Sequence, residues 1–151
     1  MPKRILAILL LIPALISACS GGDTDAGPLR QGRSIYGDWC SRCHGSAGQG
    51  GTGPSLAGVL ATWPECADHI EWVTLGSGGW KAAHGDTYGA TAKPVKGGMP
   101  EHETKLTLDE RRLVAAFERV TYGGEEADRA LADCGVEQAV EDVTEGSSSG
   151  G

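Results

Sequence analysis

A chain of 151 residues with 13 Lys and Arg against 20 Asp and Glu carries a net charge of -7, which excludes a general nucleic-acid binder, because that function needs a basic footprint. Aromatic residues are only 5% of the chain while Gly numbers 24, so bulky side chains for a core are scarce and a cofactor, metal or disulfide is expected to make up the deficit. An apolar content of 40% excludes a wholly disordered chain, and no second apolar run follows the first, which excludes a polytopic membrane protein.

Met1-Pro2-Lys3-Arg4 is a short basic start, and the apolar run from Ile5 to Ile16 has the length of a signal-peptide core rather than of a spanning helix. Ile16-Ser17-Ala18-Cys19 resembles a bacterial lipobox. That resemblance implies a signal peptide over 1–18, lipid on the Cys19 thiol, and a flexible tether over 19–27. The competing reading is an ordinary secretory signal with an incidental Cys. Either way the chain is exported, into an oxidising compartment, and the lipid reading places it on the outer side of a membrane.

From Pro28 to Cys43 the apolar positions Leu29, Ile35, Tyr36, Trp39, Cys40 and Cys43 fall close to helical spacing, with Gly32 on the same face. This helix ends in Cys40-Ser41-Arg42-Cys43-His44, the C-x-x-C-H signature of covalent haem attachment. The spacing explains the chemistry. Two thiols three residues apart share one face of a helical turn, so each can form a thioether with one vinyl of a single porphyrin. His44, four residues after Cys40, brings its imidazole to the iron from the same side. A thioredoxin-like dithiol would need a preceding strand and a βαβ pattern, and a zinc knuckle would need a second close ligand pair; the sequence offers neither. Gly48-Gln49-Gly50-Gly51-Thr52-Gly53 has the letters of a nucleotide-binding loop, but no strand precedes it and no helix opens from it.

Cys66 to Leu75 reads as a shorter helix with Ile70 and Val73 toward the haem, and His69 as a satisfied or exposed side chain. Gly76 to Gly98 lacks periodicity and reads as a long loop around the haem edge, in which Trp80 and Tyr88 either reach a propionate or pack ordinarily. Met99, in Lys96-Gly97-Gly98-Met99-Pro100, is the single Met downstream of the leader and the expected second axial ligand. Its rivals are His69, His84 and His102, the last two expected to be solvated. Thr107-Leu108-Asp109-Glu110 is a capping box opening a final helix with Leu113, Val114, Phe117 and Val120, where Phe117 should meet Tyr36 or Gly32. Cys66 and Cys134 remain; a disulfide between them, worth roughly 4 kcal/mol by chain entropy, is one reading, and two free thiols or a link to another chain are the others. Residues 135–151 read as an acidic, Gly/Ser-rich flexible tail.

C-x-x-C-H, a Gly-rich loop, Gly-Gly-Met-Pro and a terminal helix together resemble a class I, single-haem cytochrome c over roughly Pro28 to Tyr122. The resemblance implies an all-α cytochrome c fold over 28–134, with three main helices wrapped around one covalently attached haem c. It implies that Pro54 offers its carbonyl to the ligating imidazole, and that His44 and Met99 hold the iron. It implies one-electron transfer without substrate chemistry, in a membrane-tethered carrier whose partners are redox proteins, with a quinol–cytochrome c reductase and a terminal oxidase as the candidates, and with no nucleic acid and no small-molecule substrate. Without Met99 on the iron, a haem peroxidase-like enzyme or a redox or gas sensor is the alternative. Residues 28–112 balance in charge and the acidic excess falls after them, so Lys81, Lys93, Lys96 and Lys105 form either a basic rim for an acidic partner or plain solvated surface.

Overall fold

The computed structural model of the protein describes residues 27–136; the signal segment 1–18, the lipobox Cys19, the tether up to residue 26 and the tail beyond residue 136 lie outside the described residues. The fold is all-α. Helix α1 (Pro28–Ile35) starts on Pro28, whose ring sets the helical φ at a position with no bond to lose. One π-helical turn (Tyr36–Cys40) and a short helix, α2 (Ser41–His44), carry the chain on to the Cys-x-x-Cys-His end. The π turn inserts an extra residue into the helical repeat, so the regular spacing read from the sequence breaks there. Tyr36 and Cys40 are buried, whereas Trp39, expected on the same apolar face, is 44% exposed.

Helix α5 (Leu108–Thr121) is opened by the expected capping box, Thr107 Oγ1 accepting from the Glu110 amide while the Glu110 carboxylate accepts from the Thr107 amide. It crosses α1 at Gly32. A Cβ there would overlap the Leu113 carbonyl and stand 2.7 Å from Phe117 Cβ, so only glycine permits this approach. Above the crossing, the rings of Tyr36 and Phe117 lie 5.6 Å apart and those of Tyr36 and Tyr122 5.1 Å apart. Tyr36 Oη also donates to the Gly45 carbonyl, tying α1 to the chain just after His44.

Helix α3 (Val59–Thr62) is a single turn; helix α4 (Cys66–His84) is much longer than its sequence suggested. The expected break is a kink: Gly76 takes φ 60°, and the helix resumes at once. Glycine is required there because the Pro100–Glu101 backbone passes where a Cβ would be. The long loop therefore begins only after His84, and it contains a two-residue antiparallel pairing of β1 (Thr87–Tyr88) with β2 (Lys93–Pro94). Ile70 does not face the cavity as expected; it packs on the Leu29–Cys66–Cys134 cluster, because Val73 and His69 occupy the cavity-facing stripe of α4.

Helix α6 (Ala127–Asp133) returns the chain to the start of α4, where Cys134 and Cys66 are disulfide-bonded with Cα atoms 5.2 Å apart. Val136 is buried beside them, so packing continues past Cys134. Arg119, 2% exposed, donates to the carbonyls of Trp63 (2.8 Å) and Pro64 (3.0 Å) and pairs with Glu125 at 2.6 Å. Its guanidinium thus fastens α5 to the entrance of α4. Gly32→Ala should lower stability by about 1–3 kcal/mol through overpacking, read as a lower urea midpoint at unchanged slope.

Candidate functional site

A cavity of about 650 Å³ opens between the Cys-x-x-Cys-His segment, α4, α5 and residues 93–102. Cys40, Cys43, His44, Pro54 and Met99 all line it, so five positions singled out in the sequence converge on one space. Cys40 is buried and Cys43 half-buried, both as free thiols. Burial, and then the nearby Glu118 carboxylate, pushes the Cys40 thiol up, so it stays protonated at neutral pH.

His44 is oriented by its backbone surroundings. Its Nδ1 donates to the Pro54 carbonyl at 2.8 Å, which leaves the Nε2 lone pair for a metal. The Gly-rich loop lies against this ring: Gly50 N donates to His44 O at 2.7 Å and Gly53 N to Cys43 O at 2.9 Å. A Cβ on Gly53 would stand 3.1 Å from His44 Cε1. These glycines therefore serve close wrapping of the imidazole, which is the physical reason for a pattern whose letters mimic a phosphate loop.

Met99 is placed from the kink in α4. The Met99 carbonyl accepts from Ser77 N at 3.0 Å and from Ser77 Oγ at 3.1 Å, and Gly98 N donates to Ser77 Oγ at 3.1 Å. Ser77, buried and unremarked in the sequence, is thus the clamp on the Gly-Gly-Met-Pro segment.

The other candidates separate clearly. Trp80 Nε1 donates to the Thr87 carbonyl at 2.9 Å, and its indole joins Trp63, Trp72 and Tyr88 in an aromatic cluster, of which Trp63, Trp72 and Tyr88 also line the cavity. His84 meets Glu71 at 3.0 Å on the surface. His102, expected in solvent, is 5% exposed, lines the cavity edge-on to Trp39 (6.1 Å), and has a buried Nδ1 without a hydrogen-bond partner among the described residues. Burial lowers its pKa, against an opposing pull from Glu118. His69 is buried and paired with Glu118 at 3.0 Å. Glu118 was missed in the sequence, although it stands four residues after the buried Val114 and therefore on one face with it. Of the lysines read as either a basic rim or plain solvated surface, Lys93 and Lys96 line the cavity, while Lys81 pairs with Asp86 at 2.7 Å.

Two thiols, an imidazole with a free Nε2 and a thioether are the donors of a c-type haem, and a cavity of this size is of ligand-pocket scale; the residues present fit the group. Fold and site together define a cytochrome c domain. Residues 27–117 match the family described as Cytochrome C oxidase, cbb3-type, subunit III, and as this is more than half of the chain, the protein belongs to that family. No curated protein and no solved structure matches the chain. A cytochrome c domain carries covalently bound haem c and transfers electrons with redox proteins as partners. Among the described residues no helix is long and apolar enough to cross a membrane.

Removal of the Ser77 hydroxyl tests the clamp on Met99. Ser77→Ala should cost about 1–3 kcal/mol, the range for a buried group left unpaired, and should speed amide hydrogen exchange at Gly98.

Proposed function

We propose that the protein is a lipid-anchored carrier of single electrons with one haem c, bound through thioethers at Cys40 and Cys43 and ligated by His44 and Met99. The observation that supports this most is the convergence of those four side chains on one cavity, with His44 already oriented by Pro54. Bound there, the group supplies an iron that cycles between Fe(II) and Fe(III). The chain's own residues do the rest. His44 and Met99 would both hold the iron, which would leave no site on it for oxygen or peroxide. Val59, Val73 and Trp63 keep water from the interior, and a dry, preformed site needs little reorganisation as charge changes. Ligation by the Met99 thioether together with the His44 imidazole would raise the reduction potential, as suits a carrier.

The domain organisation proposed is a signal peptide over 1–18, a tether over 19–27 that begins at lipid-bearing Cys19, a haem domain over 28–134 and an acidic tail over 135–151. The family description names an oxidase, which supports a terminal oxidase as electron acceptor; a quinol–cytochrome c reductase as donor rests on the class I resemblance alone. Intact mass of the membrane-extracted protein should show a mature chain beginning at Cys19 with lipid attached, and an unmodified N-terminus elsewhere removes the anchor from the account.

One observation favours a second ligand set. His102 is a buried, cavity-lining imidazole with an unpartnered nitrogen, three residues from Met99. The near-infrared spectrum of the oxidised, haem-loaded protein separates the readings. A sulfur-to-iron charge-transfer band that disappears in Met99→Ala supports Met99. Its absence from the wild type, with low-spin bands that His102→Ala converts to high spin, places His102 on the iron instead. A five-coordinate, high-spin wild type would point to an enzyme or sensor.

A further inference from the structure

The His69–Glu118 pair supplies none of the thioether or iron-ligand atoms proposed for a haem, yet it sits in the wall of the cavity. His69 on α4 is 2% exposed and Glu118 on α5 is 4% exposed, and their Nε2 and Oε2 atoms are 3.0 Å apart. The imidazole lies parallel to the Trp63 indole, with ring centres 6.3 Å apart, and its Nδ1 has no partner among the described residues. Both residues line the cavity beside apolar Val73 and Trp63. Burying an acid and a base in such a wall costs several kcal/mol in desolvation, which a hydrophobic pair of similar volume avoids.

We propose that this pair couples proton binding to electron transfer: His69 binds one proton as the cavity receives one electron, and releases it when the electron leaves. This rests on the reading of the cavity as a haem site. The electron comes from the donor protein and the proton from solvent water; an N–H bond forms on the imidazole, and the imidazolium is held by the Glu118 carboxylate. Reduction removes one positive charge from the cavity. In an interior of low dielectric constant that change is felt strongly by a neighbouring acid–base pair, and a proton on His69 restores the charge. Oxidation reverses both movements.

The other charged and titratable groups around the pair are accounted for. From the first helical segment Tyr36 and Cys40 face Glu118, and the Cys40 thiol is hydrogen-bonded to its carboxylate; burial pushes both up, and thioether formation would remove the Cys40 proton and with it that hydrogen bond. On α5 itself, Arg119 is neutralised by Glu125, and Arg111 lies two turns before Glu118. Tyr122, just beyond α5, is also raised by burial. Lys93 and Lys96 line the same cavity. His102, from the connection into α5, also feels the Glu118 charge.

The experiment is an equilibrium redox titration of the full-length, haem-loaded protein between about pH 5 and pH 8, the imidazole range. The potential should fall as pH rises, toward the limit of about 59 mV per tenfold change in proton activity for one proton per electron. Glu118→Gln, nearly isosteric, should flatten the curve in this window, as should His69→Gln, while His84→Gln, at a surface imidazole paired with Glu71, should retain the slope. In the wild type, the NMR titration of the His69 ring should differ between the oxidised and reduced states. A wild-type potential flat with pH overturns the proposal while leaving the electron carrier intact, and so does a slope that survives both Glu118→Gln and His69→Gln. Absence of covalent haem overturns the haem reading and this proposal with it.

Discussion

The close crossing of α1 over α5 at Gly32 is the constraint on which the rest of the structure depends. With no Cβ between them, the backbone of α1 meets the Leu113–Phe117 turn of α5 directly, and the Tyr36 ring packs tilted against Phe117 one turn later. The position of that contact sets where the Cys-x-x-Cys-His segment emerges. The π turn then re-aims the segment, and the Tyr36 hydroxyl holds its far end at Gly45. A larger side chain at Gly32 would lift the thiols and the imidazole away from the α5 face that carries Val114 and Glu118.

A chain poor in aromatic residues uses those it has in two concentrated groups. Tyr36, Phe117 and Tyr122 pack at the helix crossing, while Trp63, Trp72, Trp80 and Tyr88 pack where α3, α4 and the hairpin meet. The remaining deficit is met by cross-links rather than by apolar volume. The Cys66–Cys134 disulfide fastens α6 to α4, and Arg119 fastens α5 to the Trp63–Pro64 carbonyls. A buried guanidinium with its donors satisfied by carbonyls and a carboxylate escapes the penalty of an unpaired buried charge.

The site combines rigid and polar features in a way that bears on electron transfer. His44 and Met99 are both held through backbone carbonyls, by Pro54 and by Ser77, so neither depends on a mobile side chain for its position. Rigid placement suits a centre whose charge changes without bond making. The two other cavity imidazoles differ in their surroundings, His69 paired with a carboxylate and His102 without a partner among the described residues. The family to which the chain belongs supplies the coarse function, and these two imidazoles mark where this chain's own behaviour can depart from a bare carrier.

The local parts of this protein were legible in its sequence, because they depend on near neighbours: the Cys-x-x-Cys-His turn and the capping box of α5. The thiols, His44, Pro54 and Met99 were named there, and the structure brings them to one cavity. What only the tertiary structure decided are features set by distant chain segments. Gly76 reads as a loop residue, yet it is a helix kink shaped by the Pro100–Glu101 backbone pressed against it. Val73 faces the cavity as its spacing suggests, but Ile70 turns away once the disulfide and α1 claim one side of α4. His102 reads as solvated and Glu118 gives no signal at all, yet both are buried because the 93–102 segment and α5 close over the same space. Periodicity and motif spacing report what a residue's own helix or turn needs, whereas burial of a polar side chain depends on which other segment arrives to cover it.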